Sequence, residues 1–261
     1  MTEGQFVGRV YLIGAGPGDP GLLTLNGKAA LEASDVVVYD RLVAEELLDF
    51  ARPGAQLIYV GKAPHHHTLA QRDIDALLVE KAQAGHTVAR LKGGDPFIFG
   101  RGAEEAEALR NHGIPYEIVP GVSSVVAAPA YAGIPLTHRA IASGFHVVTG
   151  HECLHSTGTP WAAIAASNQT LVILMGMGHL RDIARRLIAH GRPAHTPTAV
   201  VHMGTTDQQV TVVGALADIA DRVEARGLTS PAVIIVGDVV QLHAQLDWFR
   251  PQSAVQSELA R

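Results

Sequence analysis

Five short apolar runs in the first half of the chain each end on glycine or a charged side chain. Val10–Ile13 runs into Gly14-Ala15-Gly16-Pro17-Gly18-Asp19-Pro20-Gly21, and Val36–Tyr39 into Asp40-Arg41. Leu57–Val60 meets Gly61-Lys62, Val88–Leu91 meets Lys92-Gly93-Gly94-Asp95-Pro96, and Tyr116–Val119 meets Pro120-Gly121. Paired glycines let a backbone approach a ligand closely or turn through positive φ. Asp95 adds an acceptor suited to an ammonium or a hydroxyl, so a ligand with an amino-acid portion is served by such a loop. The competing reading is a tight turn capped by Asp95. One such loop is ordinary turn chemistry, but five in succession point to binding outside the carboxyl edge of a sheet.

Several better-known patterns fail at these residues. A dinucleotide fingerprint starting at Gly14 needs glycine where Asp19 stands, and Pro17 and Pro20 remove amide donors a pyrophosphate would want. Asp40 lies further along than the usual ribose-reading acid. No G-K-[ST] sequence occurs, which excludes a P-loop. His151-Glu152-Cys153-Leu154-His155 matches H-E-x-x-H, which binds zinc only when a helix puts both histidines on one face. Here it follows a strand and Gly150 and runs into Ser156-Thr157-Gly158-Thr159-Pro160, so no metal site is expected. His65-His66-His67 reads as a loop, with any charge it carries available to an acidic ligand. Cys153 reads as an incidental thiol, since no base partner is identifiable.

The elements behind these strand ends alternate regularly. In Gln71–Ala84 the apolar positions Ile74, Leu77, Leu78 and the stem of Lys81 recur at helical spacing, and Gly85 stops the run. Strand–helix–strand repetition predicts a mainly parallel sheet with right-handed crossovers, covered on both faces. The second half changes style. Phe145–Val148, Leu171–Leu174, Ala199–His202 and Val233–Val236 read as strands, and His179–His190 as an amphipathic helix. Gln208–Val213 alternates polar and apolar residues, suggesting an antiparallel part of a mixed sheet. Ala127–Arg139, with Pro129, Gly133 and Pro135, is the best linker candidate, dividing the chain into α/β subdomains over 1–130 and 131–261. The residues after Trp248-Phe249 read as a polar tail.

Composition bounds the function classes. With 261 residues, 47% hydrophobic and 17% charged, the chain is an ordinary globular sequence of one or two domains. Its net charge of −5 argues against general nucleic-acid binding, and a single cysteine excludes an internal disulfide. Met1–Arg9 lacks an apolar signal core, and no apolar run is long enough to span a bilayer, so a cytoplasmic protein without a membrane partner is expected.

Val10–Gly21 (VYLIGAGPGDPG), Val36–Leu42 (VVVYDRL), Val60-Gly61-Lys62, Arg90–Gly102 (RLKGGDPFIFGRG), Val119–Ser124 (VPGVSS) and Ala132–Arg139 (AGIPLTHR) together resemble the tetrapyrrole methylase family. The similarity runs over nearly the whole chain, continuing through Leu171–Gly176 and Pro231–Gly237. GAGPGDPG marks the wider family, whereas the long RLKGGDPFIFGRG match is highly specific. The resemblance implies two α/β subdomains with S-adenosylmethionine bent into the cleft between them, in a homodimer. It implies methyl transfer to C-2 and C-7 of uroporphyrinogen III, giving precorrin-2 by way of precorrin-1. By motif position, Pro17, Gly93, Gly94, Asp95, Ile98, Ser123, Ser124, Met175, Gly204 and Ala232 would line the cofactor. Asp40 and Lys62 match positions of a proton acceptor and donor, and Arg101 an arginine acting on substrate. Because guanidinium stays protonated, Arg101 is assigned to substrate carboxylates or charge control. Arg41, His138 and Arg139 can bind further carboxylates of the substrate.

Departures from the family pattern touch the substrate side. Ala63-Pro64 follow Lys62, where another basic residue is frequent, and Ser123-Ser124 stand where threonine and alanine are common. No dehydrogenase–chelatase region of the kind fused in some sirohaem synthases is recognised, so the reaction is expected to stop at precorrin-2. The rivals are another precorrin methyltransferase of the family, a non-catalytic nucleotide-binding module and, more distantly, a nicotinamide dehydrogenase.

Overall fold

A computed structural model describes residues 7–61, 70–150 and 160–250, in two compact units that divide between Ser123 and Ser124. The first unit holds five strands, β1 (Arg9–Gly14), β2 (Val36–Tyr39), β3 (Gln56–Tyr59), β4 (Thr87–Lys92) and β5 (Tyr116–Val119). All pair in parallel in the order β3-β2-β4-β1-β5. The parallel sheet is therefore as the alternation predicts, and each apolar run forms its strand to within a residue at either end.

The period of two along each strand decides which helix covers which side chains. Val10, Leu12, Val36, Val38 and Val88 pack against α2 (Gln71–Gln83) and α3 (Gly102–Asn111) through Ile74, Leu78, Ala106 and Leu109. Ile13, Val37, Ala89 and Leu91 face the other way, onto Ala30 and Leu31 of α1 (Leu25–Glu32) and Leu47 of the 3₁₀ helix Glu45–Phe50. Thr24 caps α1 by accepting the Gly27 N–H at 3.1 Å. Burial on both faces explains why β2 reads as an unbroken apolar run.

The second unit contains α4 (Ser124–Tyr131), β6 (Phe145–Thr149), α5 (Trp161–Ala166), β7 (Thr170–Leu174) and α6 (Leu180–Ala189). It continues with β8 (Pro197–His202), β9 (Val210–Ala215), α7 (Ile219–Ala225), β10 (Ala232–Val236) and α8 (His243–Leu246). The sheet order is β6-β7-β10-β8-β9, with β6 and β7 parallel and every other pairing antiparallel. Leu180, Ile183, Ala184 and Leu187 of α6 are buried on one face of this sheet. Val125 and Ala128 of α4 are buried on the other.

Two sequence expectations shift here. The start of the linker candidate is helix: α4 runs through Pro129 to Tyr131, with Val125, Ala127 and Ala128 buried. Burial of small apolar residues outweighs the local cost of proline, and the Ala132 N–H closes the end on the Ala128 carbonyl at 3.1 Å. The strand expected from Gln208 begins instead at Val210. Gln209 is taken up by the preceding turn, its carboxamide accepting from the Thr205 N–H at 2.8 Å and donating to the Tyr131 carbonyl at 3.3 Å.

A buried arginine ties this unit together. Arg192 donates to the carbonyls of Ser167, Gln169 and Val236, and burial pushes its guanidinium below the ordinary arginine value. Arg192→Leu strands three carbonyls and is expected to cost about 2–4 kcal/mol, read as a fall in the urea midpoint. Among the described residues no helix is long and apolar enough to cross a membrane.

Candidate active site

Chain connections leave β1 and β4 in opposite directions, toward β2 on one side and β5 on the other. In an open parallel sheet such a switch point leaves a crevice at the carboxyl ends of the strands. The two glycine loops meet there. Gly94 donates to the Gly16 carbonyl at 2.6 Å, Gly16 returns a bond to the Gly94 carbonyl at 3.2 Å, and Ala15 donates to the Lys92 carbonyl at 2.7 Å. The loop after β5 closes onto the same junction: a Cβ on Gly121 would lie 2.3 Å from the Gly94 oxygen and 2.6 Å from the Gly14 Cα. Only hydrogen at these positions lets three backbones converge.

Asp95 braces this junction. One oxygen accepts the Phe97 N–H at 2.8 Å and the other the Gly121 N–H at 3.0 Å. The turn-capping reading is what the geometry displays, and any ligand hydroxyl must share the remaining lone pairs. Beyond it Phe97, Ile98 and Phe99 are exposed, and Phe99 and Arg101 adopt positive φ, 51° and 58°. Residues other than glycine are strained there. The other described non-glycine residues with positive φ are Met175, Met203 and Thr205, which follow β7 and β8. Every such residue thus lies on a segment that leaves a strand's carboxyl end.

A layer of charge lies beside the junction. Arg90 and Lys92 share the β4 face that carries Val88, so both point at α3. Glu105, fully buried on α3, accepts Arg90 Nε at 3.0 Å and Lys92 Nζ at 2.9 Å through Oε1. Arg90 also extends Nη2 to Asp40 Oδ2 at 3.4 Å, while Asp40 Oδ1 accepts the Leu42 N–H at 3.1 Å. Burial pushes the Lys92 ammonium below the usual lysine value, Arg90 adds to this, and Glu105 opposes it. Gln71 bridges the layer to Asp75, at 3.3 Å from Glu105 and 2.8 Å from Asp75.

Burial raises the Asp75 carboxyl above its ordinary value of 3.8, the Gln71 bond opposing and Glu105 reinforcing the shift. A raised folded-state value means that the native protein holds this proton more tightly than the unfolded chain. Asp75 therefore favours folding in acid and loses that contribution as pH rises through its folded value. Asp75→Asn, which keeps an acceptor for Gln71, is expected to raise Tm slightly at pH 7 and to lose that gain below pH 3.8.

In the first unit, then, Pro17, Asp40, Arg41, Gly93, Gly94, Asp95 and Ile98 stand on the loops that follow β1, β2 and β4, and Ser123 on the segment after β5. Arg41 is exposed. Arg101 precedes α3 and pairs with Glu104 at 2.9 Å, which holds its guanidinium firmly protonated. In the second unit the register sets Ala232 opposite His202, and Ile234 opposite Ile173. Met175, Gly204 and Ala232 therefore share one edge of that sheet. A Cβ on Gly204 would meet the Ala128 Cβ at 2.6 Å, and Ser124 opens the helix that carries Ala128. His138 and Arg139 are exposed at a small turn, where His138 Nδ1 accepts the Ala140 N–H at 3.2 Å. Lys62, His65-His66-His67 and the H-E-x-x-H sequence lie outside the described residues. Among those described, no three His, Cys, Asp or Glu side chains are grouped to hold a metal.

Spacing in the sequence does not group Arg90 and Lys92 with Glu105. Arg90 and Lys92 stand at alternate positions of an apolar strand, a pattern that demands a buried carboxylate partner.

The pattern of the tetrapyrrole (corrin/porphyrin) methylases matches residues 9–220. Two Bacillus subtilis proteins named uroporphyrinogen-III C-methyltransferase are similar to the chain. One is 49% identical over 251 residues, which cover 95% of this chain and 52% of that protein. The other is 48% identical over 247 residues, 94% of this chain and 96% of that protein. The chain thus spans about half the length of the first and nearly all of the second. Among solved structures, uroporphyrin-III C-methyl transferase from Thermus thermophilus, complexed with S-adenyl homocysteine, superposes with a TM-score of 0.75 at 42% identity. That superposition covers 90% of this chain and 100% of the other.

Proposed function

Because the chain belongs to the tetrapyrrole methylase family, we propose that it methylates uroporphyrinogen III from S-adenosylmethionine, at C-2 and C-7, to give precorrin-2. The observation that carries this reading is the glycine junction at the β1/β4 switch point, closed by Asp95 and flanked by Asp40. S-adenosylmethionine supplies a methyl group already activated on a sulfonium. The residues proposed to hold it are Pro17, Gly93, Gly94, Asp95, Ile98 and Ser123 in the first unit, with Ser124, Met175, Gly204 and Ala232 in the second. The junction fits such a ligand, since side chains are missing where the backbones converge and exposed apolar groups stand next to it.

Holding reactants in line contributes most in such a transfer, about 7–11 kcal/mol in well-oriented systems. A pyrrole ring gains positive charge as it is alkylated and then loses a proton. Asp40 is proposed to stabilise the charge and accept that proton on Oδ2, which meets the long Arg90 contact at 3.4 Å, while Oδ1 is engaged more closely by the Leu42 N–H. Lys62 is the proposed proton donor. Arg101, paired only along one edge with exposed Glu104, is proposed to exchange that partner for a substrate carboxylate. Arg41, His138 and Arg139 are proposed to hold further carboxylates, and the active form to be a cytoplasmic homodimer.

The test is a methylation assay with uroporphyrinogen III and labelled S-adenosylmethionine, the product being trapped before it oxidises. Doubly methylated product supports the reading. No transfer to uroporphyrinogen III, alongside transfer to a later precorrin, overturns it in favour of another member of the family.

A further inference from the structure

The proposed chemistry leaves Glu105 unexplained. It is a carboxylate with no solvent exposure, its Oε2 has no hydrogen-bond partner among the described residues, and its Oε1 accepts from Arg90, Lys92 and Gln71 together. A buried ion pair is seldom a stabilising device, because desolvation offsets the Coulomb gain and apolar residues of similar size often do as well. Its geometry is more informative than its charge. The guanidinium is planar and rigid, so anchoring one edge aims the other. Glu105 holds Arg90 Nε, the Leu91 carbonyl takes Nη1 at 3.1 Å, and Nη2 is left directed at Asp40 Oδ2 at 3.4 Å.

We propose that Glu105 is a positioning residue for Asp40, acting through Arg90. The inference rests on the reading of Asp40 as the proton acceptor. Glu105 occupies the edge of Arg90 that would otherwise be free to turn and clasp Asp40 bidentately. Beside the Leu42 N–H on Oδ1, Asp40 therefore meets one long N–H contact from Arg90 on Oδ2, which orients the carboxylate and leaves lone pairs for a proton. Lys92 supplies the second cation, so that two carboxylates face two cations and Arg90 is not drawn wholly onto either.

The test is a double-mutant cycle in the full chain, with uroporphyrinogen III and S-adenosylmethionine as the probes. Glu105→Gln keeps the shape of the side chain, and Arg90→Lys keeps the charge but cannot span both carboxylates. Each is expected to lower kcat about 10–100-fold, with KM and S-adenosylhomocysteine affinity changed less than about threefold. In an Asp40→Asn background each is expected to add less than about twofold, because the group they position is gone. A residue with a merely structural role would cost the same in both backgrounds, and that result overturns the proposal. So does a loss confined to KM, or failure of both variants to fold. If only Glu105→Gln fails to fold, Arg90→Lys decides. An unaltered protein that does not methylate uroporphyrinogen III removes the functional reading and this role with it, whereas normal turnover with additive losses removes the role alone.

Discussion

Asp40→Asn is expected to reduce turnover of uroporphyrinogen III by about 10²–10⁴-fold, the range that a positioned proton acceptor contributes. The carboxamide keeps the shape and can still accept the Leu42 N–H seen at 3.1 Å, so the loop after β2 should hold its course. What disappears is the negative charge that meets Arg90 and the capacity to take a proton. Affinity for S-adenosylhomocysteine should stay within about threefold of the unaltered protein, measured by calorimetry, because the glycine junction is untouched. A parallel loss of affinity would mean that Asp40 shapes the cofactor loop. Unchanged turnover would move the proton acceptor elsewhere.

Gly121→Ala is expected to act in the opposite sense, abolishing cofactor binding. The new Cβ would stand 2.3 Å from the Gly94 oxygen and 2.6 Å from the Gly14 Cα, and both neighbouring segments meet it with backbone atoms. No side chain can swing aside, so the loop after β5 must withdraw. Withdrawal breaks the bond from the Gly121 N–H to Asp95, and the strap that holds the loop after β4 goes with it. Overpacking of this kind costs typically 1–3 kcal/mol, occasionally more. Binding of S-adenosylhomocysteine should fall by at least about 100-fold, with a lower Tm. Near-normal affinity would show that the junction is not where the cofactor is held.

The parts legible in the sequence are those governed by local pattern. Val36–Tyr39 is a strand from first to last residue because a fully buried parallel strand must be apolar throughout. Leu180, Ile183 and Leu187 give α6 away by their spacing. Asp95 was visible as a special residue, but whether it meets a ligand or the backbone depends on Gly121, which belongs to another loop. Glu105 could not be matched to Arg90 by spacing, since their contact depends on which face of β4 meets which turn of α3. The helix through Pro129 is likewise a tertiary outcome: α4 is held by what it buries, against its own propensity.

The strand order of the first sheet also bears on how the chain is made. β1 lies between β4 and β5, and its first partner, Thr87 opposite Arg9, is translated about 80 residues later. At roughly 5–20 residues per second, an apolar strand emerges and waits on the order of 4–16 s for its neighbour. Hairpin β8–β9, by contrast, can zip as soon as it leaves the ribosome, its strands being joined by a short turn. Parallel pairing across long loops is the slow step in folding kinetics. The same topology that brings Gly14, Gly94 and Gly121 together therefore makes β1 the segment most in need of a holding chaperone during synthesis.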